Sequence, residues 1–404
     1  MDRSRLNIGT YILQPYARSE AHICDLKDCG IDFVVCMEND RKALDLFSKY
    51  GLGAVVTGVL PGWWGGDGEN AGKLEETNPL KAYLDSAARF EDHPAVWGID
   101  VGDEPSALDF PYYGKVIDTV NRVFPNQFAY LNLYPNYAVR AANSGEQTVN
   151  QLGTTTYDEH IDCYCRNVGT DYICYDFYLY SVNVSKAYEN LITVADACLK
   201  TGRSMWIVLQ VNNHVPDKYI TANELRFQAY TAMAFGAENI IWACYTAGWW
   251  YNQVLDENGN KTQQYDKLKM VNAEIRALAG EYMKYRRVGT YFVGFEGTQW
   301  LSGTDIMSDN RLDLGYIKDI RSDHPVVVGD FTSRSTGNGR ALFVCAADAP
   351  YDEKSTVTQL HFTCGCAVRA YSGKGIAEVN KTEDGGYCVV IRSNEGILIE
   401  VSDE

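Results

Sequence analysis

The sequence predicts an α/β chain in which a (β/α)8 TIM barrel is followed by a smaller all-β sandwich. Strand-like apolar runs alternate eight times with helix-like segments up to about residue 287, and beyond it strand-like runs follow one another with no helical stretch. Size agrees: 404 residues exceed what one hydrophobic core usually supports, so two domains are expected, a barrel over 1–287 and a sandwich over 288–404.

The eight runs are LNIGTYIL (6–13), FVVCME (33–38), GAVVTGVL (53–60), VWGIDVGD (96–103), FAYLNLYP (128–135), YICYDFYL (172–179), WIVLQV (206–211) and NIIWACYT (239–246). RKALDLFSKYG, SKAYENLITVADACLKTG and ANELRFQAYTAMAFG lie between them with helical periodicity. Gly30, Gly51, Gly202 and Gly236 precede a strand, where glycine accepts the left-handed conformation that closes a helix. TQQYDKLKMVNAEIRALAGEYMKYRR reads as a long helix that closes the barrel near 287. After it come YFVGFEG, PVVVGDFTS, ALFVCAAD, TVTQLHFTC, CAVRAYSG, GYCVVIRS and GILIEV, strands with turn residues between them, which puts the boundary between 284 and 292.

Hydrophobic content of 46% and charged content of 22% are those of a folded, water-soluble protein. A net charge of −17, spread along the chain, argues against nucleic acid, whose phosphates need clustered Lys and Arg. Neutral or cationic ligands fit better. The 28 Tyr and 8 Trp supply flat rings with polar edges, which suit sugars. Most of the 12 Cys sit in apolar runs and read as buried free thiols, while Cys163-Tyr-Cys165 and Cys364-Gly-Cys366 are spaced too closely for a zinc finger. With no apolar leader in MDRSRLNIGTYILQPY, a cytoplasmic location is expected, and with no run of 18 apolar residues, no membrane span. Oligomeric state is not legible.

In a barrel the site forms where the strands end. Those ends hold Gln14 and Tyr16, Glu38, then Trp63, Trp64 and Asp67, then Asp103 and Glu104 after the fourth strand. Asn132, Tyr134 and Asn136 follow the fifth, Asp176, Tyr178 and Tyr180 the sixth, Gln210, Asn212, Asn213 and His214 the seventh, and Tyr245, Trp249 and Trp250 the eighth. His214 is flanked by amides, so neither a metal nor a cofactor is expected. No G-x-S-x-G motif occurs, and GWWGGDGENAG lacks the Lys-Ser/Thr ending of a phosphate loop.

The ring therefore favours acid/base chemistry on a polyhydroxylated ligand. Cleaving a glycosidic bond needs a proton donor for the leaving oxygen and usually a second carboxylate. Glu104 suits the first role, because the charge of Asp103 beside it raises its proton affinity. The same two acids would also suit the start of a helix near Ser106.

VWGIDVGDEP resembles the strand-four motif of (β/α)8 glycoside hydrolases of the large retaining superfamily, where an Asn/Asp-Glu-Pro triplet carries the general acid/base. LRFQAYTAMAFGAENIIWACYT is similar to the segment of β-galactosidase-type hydrolases that leads from helix seven into strand eight, and PVVVGDFTS to GILIEV resembles the β-sandwich that often follows such barrels. The resemblance implies a glycosidase with Glu104 as acid/base, Asp103 in support, sugar platforms at Trp63, Trp64, Trp249 and Trp250, and a carbohydrate substrate. One departure stands out: the superfamily's nucleophile is a Glu ending strand seven, whereas WIVLQVNNH offers Gln210 and Asn212, amides that cannot attack an anomeric carbon.

Three alternatives stay open. Asp176 is the second carboxylate, or Glu38 is, or the sugar supplies its own nucleophile as in the hexosaminidase type, where an adjacent Asp-Glu pair orients an N-acetyl group. The expected catalytic set is Glu104, Asp176 and Asp103. The expected substrate-binding set is Glu38, Trp63, Trp64, Asn132, Tyr134, Tyr178, Gln210, Asn212, Tyr245, Trp249 and Trp250. The rival reading is a barrel that binds carbohydrate without cleaving it, and the sandwich is expected to brace the barrel.

Overall fold

The computed structural model describes every residue except 66–67, 139–150, 336, 352–355, 393 and 403–404. The barrel chain runs β1 (Asn7–Tyr11), α1 (Glu20–Asp28), β2 (Phe33–Glu38), α2 (Arg41–Tyr50), β3 (Gly53–Thr57), α3 (Leu74–Thr77), α4 (Leu80–Ala87), β4 (Val96–Asp103) and α5 (Phe110–Val123). It continues with β5 (Phe128–Asn132), α6 (Tyr157–Asn167), β6 (Tyr172–Phe177), α7 (Val184–Thr201), β7 (Ser204–Gln210), α8 (Ala222–Ala234), β8 (Ala237–Ala243) and α9 (Gln263–Tyr282).

The eight strands are parallel in the order β5-β4-β3-β2-β1-β8-β7-β6. The Leu133 N–H closes the ring onto the Cys174 carbonyl at 2.9 Å. Tyr11, Phe33, Val35, Val55, Tyr130, Tyr172, Cys174, Trp206, Val208 and Ile241 fill the interior, while the alternate residues join the core between strands and helices. All four helix-end glycines have positive φ, from 66° to 89°. No helix is long and apolar enough to cross a membrane among the described residues, and all twelve cysteines are free thiols.

α9 stops at Tyr282, earlier than its sequence pattern suggests, because residues 285–287 already pair with 331–333 as the first sandwich strand. That domain comprises β9 (Tyr285–Val293), β10 (Lys318–Ser322), β11 (Val326–Ser333), β12 (Arg340–Ala346), β13 (Val357–Thr363), β14 (Ala367–Ser372), β15 (Gly375–Ala377), β16 (Val379–Lys381), β17 (Tyr387–Arg392) and β18 (Gly396–Ser402). Two antiparallel sheets form, β15-β14-β18-β12-β11-β9 and β10-β13-β17-β16. β10, β15 and β16 are short, and the sequence reading did not find them.

The six-stranded sheet packs on α8 and α9. Phe331 and Phe343 lie 5.6 and 5.4 Å from the ring of Tyr282, and Arg287 reaches Asp196 on α7 at 2.8 Å. Each aromatic so buried contributes about 1.5–3 kcal/mol, so this face is part of the main core rather than a loose tether.

Candidate active site

β4 brings the acids in through an irregularity. Side chains of a strand alternate between its two faces, so with Asp100 inward and Val101 outward, regular pleating would turn Asp103 outward as well. Against β5, however, Asp100 lies opposite Tyr130, Gly102 opposite Leu131 and Asp103 opposite Asn132. One extra residue is thus accommodated between Asp100 and Gly102, and this bulge returns Asp103 to the interior.

Glu104 follows at φ 44°, a left-handed conformation for a residue with a side chain, which costs on the order of 1–3 kcal/mol. Its surroundings over-determine it. Its N–H donates to the Asn132 carbonyl at 2.9 Å, and the Trp64 indole N–H donates to Oε2 at 3.0 Å. Gly65 passes so close that a Cβ there would lie 1.8 Å from the Glu104 carbonyl oxygen. α5 begins only at Phe110, and Asp109 serves the backbone nearby by accepting the Gly72 and Leu74 N–H groups. Capping that helix is therefore not what Asp103 and Glu104 do.

Asp176, at the end of β6, completes the cluster. Asn132 Nδ2 donates to Asp103 Oδ1 at 3.1 Å and to Asp176 Oδ1 at 2.9 Å, and the Asp176 and Glu104 carboxyls are in hydrogen-bonding contact. Burial, then the charges of Asp176 and Asp103, pushes Glu104 well above the usual carboxylate range. Burial lifts Asp103 to about 6, with the Asn132 amide pulling the other way. Burial and then the charge of Asp103 lift Asp176 to about 7. Near neutrality the arrangement offers one carboxyl that keeps its proton beside one that has lost it, the pairing that acid/base chemistry requires.

Beneath the acids runs a hydrogen-bonded stack. Tyr11 and Tyr130 share a bond of 2.7 Å between hydroxyls, Tyr130 contacts Cys174 Sγ at 3.4 Å, and that thiol donates to Asn132 Oδ1 at 3.5 Å. Asn132 thus has partners on both ends of its amide, its nitrogen lying between two carboxylates. An aromatic wall stands above it: Trp249 lies 5.8 Å from Tyr11 and 6.0 Å from Tyr178, and Trp250 lies 4.9 Å from Tyr178. Trp64 is 60% exposed and presents an open face at the mouth.

The other expected ligands fall outside this group. Tyr245 is fully buried, with Cys29 just after α1 and Tyr265 of α9 as neighbours, so it belongs to the strand–helix core and not to the mouth. Gln210 is buried and its Oε1 accepts the Tyr180 N–H at 2.9 Å. Asn212, also buried, holds the Trp249 carbonyl at 2.6 Å and so shapes the aromatic loop. Trp63 is buried, and its carbonyl accepts the Asp103 N–H at 2.8 Å. Tyr134 is buried, its hydroxyl beside Gly65. Glu38 stands exposed at the rim in an ion pair with Arg18 at 3.0 Å, while Asp40 caps α2. Asp67 lies outside the described residues.

The sequence reading missed Asp100, Tyr11, Tyr130, Cys174 and Tyr137, whose hydroxyl meets the Tyr178 N–H at 3.4 Å and senses the charges of Asp176 and Glu104. Gly102 was the available signal for Asp100: glycine within a strand often marks a bulge, and a bulge changes which acids face inward. Among the described residues no group of three or more His, Cys, Asp and Glu is arranged to hold a metal ion.

No protein-family model and no curated protein matches the chain. Solved structures do. A cycloisomaltooligosaccharide glucanotransferase of a Paenibacillus species, in complex with cycloisomaltoheptaose, is 8% identical with a TM-score of 0.54, over 99% of this chain and 85% of that one. Alpha-L-fucosidase isoenzyme 2 from Paenibacillus thiaminolyticus is 9% identical with a TM-score of 0.48, over 99% of this chain and 100% of that one. Xylanase 10B from Thermotoga maritima is 14% identical with a TM-score of 0.45, over 67% of this chain and 95% of that one. At such identities the likeness is one of fold, and in the glucanotransferase it extends over both the barrel and the domain that follows. The chain shares with that glucanotransferase a (β/α)8 barrel followed by an all-β domain.

Proposed function

We propose that the protein is a glycoside hydrolase that cleaves an O-glycosidic bond in a glycan or oligosaccharide, with Glu104 as general acid. One observation carries the reading: Glu104 is held in a strained conformation at a strand end, in contact with Asp176 and beside Asp103, in surroundings that keep its proton on near neutrality. Glu104 delivers that proton to the leaving oxygen. Asp103, lower in proton affinity, stays ionised and faces the positive charge that develops at the anomeric carbon. Trp64, Trp249, Trp250 and Tyr178 stack on the sugar rings.

Asp176 and Glu104 act directly on each other's proton affinity, so in this reading Asp176 holds the proton of Glu104 instead of facing it across the scissile bond. That contact also favours a second reading, in which the acetamido group of an N-acetylhexosaminide is the nucleophile and a carboxylate next to the acid orients it.

The test is hydrolysis of a panel of chromogenic glycosides, N-acetylhexosaminides included, together with polymeric glycans, by wild type and Glu104→Gln. Turnover lost in the variant with sugar affinity retained supports the enzyme, and selective turnover of N-acetylhexosaminides supports the second reading. Sugar binding by both proteins with no turnover of any substrate would replace both with a non-catalytic carbohydrate-binding barrel.

A further inference from the structure

The sandwich meets the barrel's helices at both of their ends. Phe331 and Phe343 pack on Tyr282, the last residue of α9, whereas Tyr351, backed by Trp300, and Asn394 reach the first turns of α7 and α8, on the side where the strands open onto the site. Tyr351, between β12 and β13, accepts the Val184 N–H on its hydroxyl oxygen at 3.1 Å. Val184 opens α7, so its N–H has no partner within the helix and takes one from the other domain. Trp300, between β9 and β10, packs on the Tyr351 ring with centres 5.6 Å apart. Asn394, between β17 and β18, donates to the Ala349 carbonyl at 2.8 Å and to the Asn223 carbonyl of α8 at 3.4 Å, and so ties the turn that carries Tyr351 to the barrel.

On the barrel side Tyr351 faces Tyr180, ring centres 6.1 Å apart. Tyr180 is the middle of the short turn Leu179–Ser181 that follows Asp176 and Tyr178. Its N–H donates to Gln210 Oε1 at 2.9 Å and its hydroxyl to the Glu224 carbonyl of α8 at 2.9 Å. The Ser181 N–H donates to the Tyr178 carbonyl at 3.0 Å, and the Ser181 hydroxyl lies 3.3 Å from His214 Nδ1. The His214 ring lies 5.9 Å from Trp250, which in turn lies 4.9 Å from Tyr178. Tyr178, Ser181, His214 and Trp250 form a closed circuit of contacts, so a shift of the turn at Tyr180 reaches both rings of the aromatic wall.

Resting on the glycosidase reading above, we propose that Tyr351 is a positioning residue of the active site: through Tyr180 the sandwich fixes the loop from β6 to α7, and with it the spacing of Tyr178 and Trp250 that sugar rings must fit. The acids on β4 do not depend on it, since Asp103 and Glu104 are held by Trp63, Trp64 and Asn132. Loss of Tyr351 then weakens binding before it slows chemistry.

Tyr351→Ala is expected to raise KM for oligosaccharides about tenfold while kcat stays within about twofold of wild type, because the wall holds the ground state and the transition state alike. Trp300→Ala, which removes the ring behind Tyr351, moves KM the same way by about threefold and decides the matter if Tyr351→Ala does not fold. Tyr351→Phe, which keeps the ring contacts, recovers most of the affinity. Phe331→Leu, at the other end of the interface, is the control: it lowers the melting temperature without moving KM. An unchanged KM in Tyr351→Ala and Trp300→Ala, or an equal rise in Phe331→Leu, overturns the proposal and leaves the sandwich as a brace.

Fluorine NMR of protein labelled with fluorotryptophan reads the wall without turnover, the Trp250 signal being the one absent from Trp250→Phe. That signal is expected to move in Tyr351→Ala and to stay in Phe331→Leu. If no sugar is bound or cleaved, the glycosidase reading fails, while this signal still decides whether the sandwich positions the wall. A Trp250 signal unmoved in Tyr351→Ala overturns the positioning role.

Discussion

Asp176→Asn should make the protein more stable and less active, and the stability gain should depend on pH. The side chain is 3% exposed, and burial followed by the charge of Asp103 lifts its proton affinity from the usual value of 3.8 to about 7. A carboxyl raised in the fold favours the folded state fully below about pH 4, and this contribution is lost as pH rises through 7. Roughly three pH units at about 1.4 kcal/mol each mean that ionised Asp176 removes about 4 kcal/mol at pH 8. Asparagine keeps the bond from Asn132, now at 2.9 Å, and its own N–H reaches Glu104, so little packing is lost. With an unfolding entropy of about 2.1 cal/mol/K per residue over 404 residues, the variant should melt about 5 °C higher at pH 8 and at the same temperature as wild type at pH 4. Calorimetry at the two pH values decides it. Turnover should fall at least about tenfold, because the group that steadies the proton of Glu104 has lost its charge. A melting point unchanged or lowered at pH 8, or an equal gain at both pH values, refutes the argument.

Three other outcomes are expected. Gly65→Ala should leave the fold intact by circular dichroism yet lose at least about a hundredfold in kcat, since its Cβ would sit 1.8 Å from the Glu104 carbonyl and a shift of about 1 Å at a reacting group has that effect; activity near wild type would show that Glu104 is not where the acid has to be. Trp249→Ala should raise KM for oligosaccharides with kcat little changed, a stacking loss of about 1 kcal/mol read from initial rates. Asp32→Ala should lower stability by about 3 kcal/mol in denaturant titrations, because this buried carboxylate accepts the Ile8 N–H and pairs with both Arg5 and Arg276.

The barrel was legible in the chain because its strands and helices are local patterns. All eight strands appear where short β-rich runs stand, and glycine punctuates the helix ends as expected. The sandwich was legible in outline, but Tyr285–Arg287 extended an apparent helix in sequence, and only pairing with β11 made them strand. The site was legible in part. Glu104, Asp103 and Asp176 were named from their places at strand ends, whereas the link that Asn132 makes between Asp103 and Asp176 was not foreseen. Tyr245 was placed in the mouth by its position after β8, yet the backbone turns it outward against α1 and α9.

By itself the amino-acid sequence determined the order of elements, the presence of acids and aromatics at the strand ends, and the lack of an acid where β7 ends. Those properties depend on residues close in the chain, through periodicity, capping and composition. The tertiary structure alone decided which acids meet. Asp103 faces inward because a bulge between Asp100 and Gly102 reverses the pleat, and Asp176 reaches Glu104 because closure of the ring sets β6 beside β5. Neither can be read locally, since a one-residue change of register moves a side chain to the opposite face, and a proton's affinity follows the charges and burial that surround it, whatever their distance in the chain.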